Sequence, residues 1–324
     1  MLRKIVTGKK VTEALNALNP ISSPVMDEFY PVNIRRQHPF SSIRIDEIKR
    51  ITKAVPMVMR GTTPVSLGTG SGSINTIEPQ PIDVIDTISG AELNNLKSFD
   101  GTTTKIWLQD RMAYARDSIR ATAEALCIQS LSGAIKFPMK TDTGMDLYEI
   151  KFGTILSHKA EKKLNAAGAD ITTLLDIMRA QSKAIKKKGG GSKIKWKTGD
   201  SAFTRILELV KDMGDNSSIS VKTGVDSVTI DGKWTIELFD EEYWDPKAKE
   251  YKSGIDTNTL KAVAMDGGWA FKYIALDDIE AGLKALPLFS KAVLQEIPSA
   301  WVINTMSKPL PIPNPNSICN TTVL

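Results

Sequence analysis

The residues best suited to chemistry are few and badly spaced for it. The two histidines, His38 and His158, lie far apart, and neither has a Cys or His beside it at metal-ligand spacing. Each reads as a structural or solvated side chain. The two cysteines, Cys127 and Cys319, form no paired spacing that would suggest a disulfide framework or a zinc site. Reduced thiols are expected, and Cys127, on an apolar helix stripe, reads as a small core hydrophobe. No G-x-S-x-G nucleophile elbow occurs.

Two glycine clusters, Gly68-Thr69-Gly70-Ser71-Gly72 and Gly189-Gly190-Gly191-Ser192-Lys193, invite comparison with phosphate loops. The second lacks the G-x-x-x-x-G-K-[ST] spacing, so both read as flexible loops. Acidic residues gather at Glu237, Asp240, Glu241, Glu242 and Asp245, beside Tyr243 and Trp244. A metal site or an acid/base pair is one chemistry for such a cluster. A solvated hairpin loop is the other, and the two aromatics then point to contact with another surface. An enzyme working there would lose its activity in Glu241→Gln or Asp245→Asn.

Lysines gather at Lys183, Lys186, Lys187, Lys188, Lys193, Lys195 and Lys197, with Trp196 among them. Neutralised phosphates would release counterions, which makes a basic nucleic-acid-binding protein an alternative reading. No known binding module surrounds the run, so it reads as a solvated loop, suited by charge to the acidic loop of a neighbouring subunit. The first sixty residues are also basic: Arg3, Lys4, Lys9, Lys10, Arg35, Arg36, Arg44, Lys49, Arg50, Lys53 and Arg60 stand against five acids.

The elements that must carry these residues fall in a definite order. The chain has 324 residues, 41% hydrophobic, with a net charge of +5. That is enough apolar material for one large domain or two ordinary ones. No secretory leader opens the sequence, and no run of eighteen apolar residues suggests a membrane span. Action in a bacterial cytoplasm would fit. Residues 1 to 40 read as an extended arm with one short helix over Val11 to Leu18, stopped by Asn19-Pro20. Such a segment needs another surface to lie on. Residues 41 to 100 read as two strands joined by a glycine-rich tip, Gly61 to Gly72, a ribbon marginal on its own. From Thr104 to Ser132 no Gly or Pro interrupts a single long helix. Its small and apolar face runs through Met112, Ile119, Ala123, Leu126, Cys127 and Leu131, and Gly133 suits its exit. A hairpin over Ala134–Phe152 follows, turning at Thr141–Gly144.

Beyond residue 160 the pattern is mixed. Helices are predicted at Ile171–Lys187 and Ala202–Met213, with Gly189–Gly191 as a flexible hinge or loop tip between them. Strands are predicted at Ser218–Lys222, Ser227–Ile230, Trp234–Phe239 and Leu260–Met265, and Glu241–Lys252 reads as a long polar hairpin loop. The tail alternates well. Pro309, Pro311, Pro313 and Pro315 at every second position mark an edge strand or a brace.

This order of elements resembles the major capsid protein E family of lambda-like tailed phages. Two stretches carry most of the likeness: TKIWLQDRMAYARDSIRATAEALCIQSLSGAIKF leading to MDLYEIKF, and the ending PSAWVINTMSKPLPIPNPNSICNTTVL, with Pro298 shortly before Trp301. A third, TIELFDEEYWDPKAKEYKSGIDTNTLKAVAMDGGWAFKYI, is similar to the family's strand, long turn and strand.

The resemblance implies an α+β fold, the Hong Kong ninety-seven type capsid fold, and a structural rather than an enzymatic role. It implies an N-terminal arm (1–40) and an extended loop reaching over an adjacent subunit (41–100). A peripheral domain with the spine helix and hairpin (101–159), an axial domain (160–285) and a return to the peripheral domain (286–324) complete it. Implied partners are identical copies in hexamers and pentamers, a scaffolding protein, a portal, a decoration protein, and packaged double-stranded DNA held without sequence reading. No cofactor, metal or membrane is implied. Expected inter-subunit contacts are Gly68, Gly70, Gly72, Tyr243, Trp244, Lys187 and Lys188. An encapsulin-like cargo shell shares the fold and is the nearest alternative.

Overall fold

The computed structural model describes residues 22–44, 76–96, 101–213 and 219–324. The predicted helix at Val11–Leu18 and the tip with Gly68, Gly70 and Gly72 lie outside them. In chain order the described segments form α1 (Pro24–Phe29), β1 (Arg35–His38), β2 (Ile43–Arg44), β3 (Thr76–Ile77), β4 (Ile82–Ser89), α2 (Gly90–Leu96) and α3 (Gly101–Ser130). The hairpin β5 (Ala134–Thr141) and β6 (Gly144–Lys151), the short β7 (Leu156–Ser157), α4 (Ile171–Lys187), β8 (Ile194–Thr198) and α5 (Asp200–Asp212) come next. Then follow β9 (Val221–Thr223), β10 (Ser227–Ile230), β11 (Trp234–Leu238), β12 (Glu242–Asp245), β13 (Glu250–Ser253), β14 (Thr259–Ala264) and β15 (Ala270–Ile274). The chain closes with β16 (Phe289–Gln295), β17 (Ala300–Ser307), β18 (Pro309–Ile312) and β19 (Ile318–Thr322).

The uninterrupted stretch forms one helix of 30 residues, α3, about 45 Å long at 1.5 Å per residue. Met112, Ile119, Ala123, Leu126, Cys127 and Leu131 are buried along it, as their spacing predicts. Gly133 ends it at φ +83°, where an added Cβ would lie 2.6 Å from the Gly153 carbonyl oxygen.

Seven strands in the order β7-β19-β14-β8-β11-β10-β9 make the largest sheet. α4 and α5 cover one face with Leu174, Ile177, Met178, Ile185, Phe203 and Ile206. Asp170 caps α4 by accepting the Thr173 N–H, and the apolar spacing behind that cap explains why the helix begins where the sequence says it should. Gln181 pins α4 to the sheet. Its Nε2 donates to the Leu260 carbonyl (2.9 Å) and to Thr321 Oγ1 (2.9 Å), and its Oε1 accepts from Trp196 Nε1 (3.0 Å).

Three expectations are corrected. The run from Lys193 to Lys197 is no solvated loop: it enters β8, between β14 and β11, with Trp196 and Lys197 buried. Gly190 is no hinge, because a Cβ there would lie 1.9 Å from the Asn316 carbonyl oxygen. The span Glu241–Lys252 is the expected hairpin, with β12 and β13 paired in regular antiparallel register. Residues 24–38 of the expected arm lie on their own chain: Val25, Met26, Phe29 and Tyr30 share a core with Cys127, Ile128, Leu131, Trp269 and Phe271. α1 has no side-chain cap of its own. Glu124 of α3 supplies one, accepting the N–H groups of Val25 (2.7 Å) and Met26 (2.9 Å).

The tail divides between sheets. β16, β17 and β4 form a three-stranded sheet, β18 pairs with β15, and β19 joins the seven-stranded sheet between β14 and β7. The proline alternation marks an edge strand, as expected. The Ile274 N–H donates to the Lys308 carbonyl (2.9 Å), so positions 308, 310 and 312 face β15 and the nitrogens of Pro309 and Pro311 face outward. The two strands expected to flank the tip meet at its base, where Ile43 and Arg44 pair with Ile77 and Thr76.

Candidate inter-subunit surfaces

The β12–β13 hairpin is built around Asp245. Its carboxylate accepts the N–H groups of Lys247 (2.9 Å) and Ala248 (3.0 Å) and the ammonium of Lys252 (2.6 Å). The Lys252 hydrogen bond first, then the turn amides, hold this carboxyl below its ordinary pKa. A carboxylate so engaged is turn chemistry, not acid/base chemistry. Burial and the neighbouring Asp240 push Glu241 the other way, above the usual value.

The pleat then sorts the aromatics. Tyr243 turns inward and packs beside the core that holds Phe239 and Ile128. Trp244 and its cross-strand partner Tyr251 turn outward, rings 5.2 Å apart and nearly edge-on, 47% and 67% exposed. Two large aromatics side by side on a polar hairpin are the composition of an interface anchor. Sequence reading found Trp244 but not Tyr251, because only the register brings the second ring to the first.

The lysine cluster divides. Lys195 and Lys197 are bound inside the same chain. Glu28 and Glu237 accept from both, with Lys197 Nζ 2.7 Å from Glu28 Oε2 and 2.5 Å from Glu237 Oε2. The expected complementarity with a neighbour's acids is thus met, for these two, by the chain's own. Lys183, Lys186, Lys187 and Lys188 are exposed at the C-terminal end of α4, and among the described residues they pair with no acid. There the helix carbonyls favour positive charge.

Other apolar side chains also face solvent. A groove of about 500 Å³ between β4 and α3 is lined by Ile85, Trp107 and Tyr114. Arg111 braces it, stacked 4.9 Å over Trp107 and donating to Asp86 (2.7 Å) and Glu92 (2.8 Å). Val293, Leu294 and Ile297 are exposed near the β16–β17 turn, and Ile279 and Leu283 on the loop before β16. Scattered apolar exposure is ordinary, but recurrence at element tips suits contact with other chains.

Chemistry of another kind is sparse. Among the described residues no three His, Cys, Asp or Glu side chains gather as a metal group, and no helix is long and apolar enough to cross a membrane. His38 Nε2 lies 3.0 Å from the Ser42 carbonyl, a structural contact. Both cysteines are free and buried.

Residues 7–323 match the family described as Phage major capsid protein E. No curated protein matches the chain. Among solved structures, the chain is similar to a prophage capsid protein of E. coli CFT073, at 15% identity and a TM-score of 0.65, covering 98% of this chain and 99% of that one. It is also similar to a phage-related protein of Bordetella bronchiseptica RB50, at 10% identity and a TM-score of 0.52, covering 98% and 96%. The capsid of cyanophage A-1(L) gives 10% identity and a TM-score of 0.52, covering 95% and 94%.

Proposed function

The chain belongs to the phage major capsid protein E family, and from that membership we propose how it closes a phage head. It is a major capsid protein with the Hong Kong ninety-seven type capsid fold, a structural subunit of the head shell. The family match across nearly the whole chain carries this reading.

The proposal concerns which surfaces copies of the chain use. Trp244 and Tyr251, with half-buried Tyr243 as their footing, are anchors for a neighbouring copy. Lys187 and Lys188, left unpaired, meet Glu242 at a neighbour's hairpin, or the packaged double-stranded DNA. Residues 41–100, with Gly68, Gly70 and Gly72 at the tip, act as a loop over an adjacent subunit. The seven-stranded sheet and its helices meet their copies around hexamer and pentamer axes. α3, the β5–β6 hairpin and the β4–β17–β16 sheet form the periphery. Many weak contacts hold each subunit at once, so assembly is collective. A scaffolding protein, a portal and a decoration protein are the further partners of this role, and host cytoplasm is where it is exercised.

Electron microscopy of the concentrated protein tests this, with and without a co-expressed scaffold. Closed or tubular shells are expected, and deleting residues 61–72 should abolish them while the subunit's melting temperature is kept. A protein that stays monomeric under both conditions would sink the proposal.

A further inference from the structure

On the face of the seven-stranded sheet turned away from α4 and α5, one row of side chains is polar. Asn320, Lys261, Lys197 and Glu237 stand opposite one another on β19, β14, β8 and β11. Directly opposed residues share a face and touch. Lys197 and Glu237 are paired, with Glu28 of α1 beside them. Lys261 is next in the row and has no carboxylate among the described residues. Its side chain is 3% exposed, and its Nζ donates to the Leu131 carbonyl at 3.1 Å. Asn320, across from it on the other side, holds Oδ1 buried with no hydrogen-bond donor.

Leu131 directly follows the last residue of α3. Carbonyls at a helix end lack intrahelical donors and carry the negative end of the helix dipole. An ammonium is therefore the better partner for that oxygen, while burial without a counter-charge favours the neutral amine. We propose that Lys261 is a proton-operated pin between the end of α3 and the seven-stranded sheet. The ammonium grips the Leu131 carbonyl; the neutral amine keeps only a weaker, uncharged hydrogen bond to it and shares its donors with the vacant Asn320 Oδ1. The pin is a property of the subunit and does not rest on the surfaces proposed above.

Burial pulls the Lys261 amine down to about 8 from its ordinary 10.5. Burial alone causes that shift; the charged neighbour in the row is Lys197 on β8, itself answered by Glu237 on β11 and Glu28 on α1, and the nearest turn of α3 carries the buried Cys127 thiol. Burial pushes Cys127 well above its ordinary value, and Lys197 and Lys195 hold Glu237 below its own against the pull of burial. Between pH 8 and 10.5 the unfolded chain keeps the Lys261 proton and the folded chain does not, so this group's contribution to stability rises with pH. The grip on the helix end falls over the same rise. A merely structural lysine would not give these opposite trends.

Hydrogen exchange of residues 127–133, corrected for intrinsic rates, tests the pin from pH 7 to 9. In the wild type, protection should drop about fivefold, the difference between a charge-assisted and a neutral hydrogen bond. It should stay flat in Lys261→Met and in Lys261→Gln; the latter keeps a donor and carries the comparison should Met not fold. A flat wild-type profile, or variants that keep the wild-type drop, would overturn the proposal.

Discussion

Glu237 shows how a single carboxylate, through two lysines it shares with Glu28, ties β11 to β8 and α1. Burial raises its pKa, but the hydrogen bonds and charges of Lys197 and Lys195 outweigh that and hold it below the ordinary value. A carboxyl lowered in the folded state contributes stability above its unfolded pKa and loses it as pH falls through the folded one. The denaturant midpoint should therefore decline on acidification below about pH 4.5, and decline less steeply in Glu237→Gln. Equilibrium unfolding at intervals from pH 7 to 3 measures it; parallel curves would refute the role given to this network. The same residues show where sequence reading stopped. Lys195, Trp196 and Lys197 look like a solvated run because their partners, Glu28, Glu237 and Gln181, lie far away in the chain. Nothing local announces that two lysines of a strand are answered from one side and a tryptophan from the other.

At the scale of elements, legibility followed locality. α4 was readable to the residue, because Asp170 caps it and its apolar spacing is clean. The β5–β6 hairpin was readable from its alternation and its turn. α1 was not. Six residues between prolines carry no periodicity, and the cap comes from Glu124 on another helix. The β12–β13 hairpin was half legible, its aromatics seen but its register not. On that register rests a prediction. Trp244→Ser with Tyr251→Ser should leave the subunit's melting temperature within about 2 °C, since both rings are largely solvated. Shell yield by sedimentation should fall about tenfold or more if the pair is an interface anchor. Shells at wild-type yield would dismiss it.

For the whole molecule, the N-terminal region divides where the sequence showed no division. Residues 24–30 belong to the core: Phe29 is 2% exposed, 5.4 Å from the Trp269 ring. Phe29→Ala should cost about 3–5 kcal/mol. Deleting residues 1–30 should therefore lower the melting temperature far more than deleting residues 1–21. Calorimetry of the two truncations decides it, and equal losses would return the first thirty residues to the status of a detachable arm.

Many identical chains crowded together in a cell risk joining by the cheapest means open to them, edge to edge along the backbone. At β18 that route is shut. Pro309 and Pro311 turn their nitrogens away from β15 with no hydrogen to offer, and all four residues of β18 are buried in the subunit, so another chain's strand finds neither access nor a full ladder there. Growth by endless strand addition ends at this margin. What remains for joining copies is the lock of side chains, which admits only particular angles, and particular angles are what make a curved surface close instead of running on.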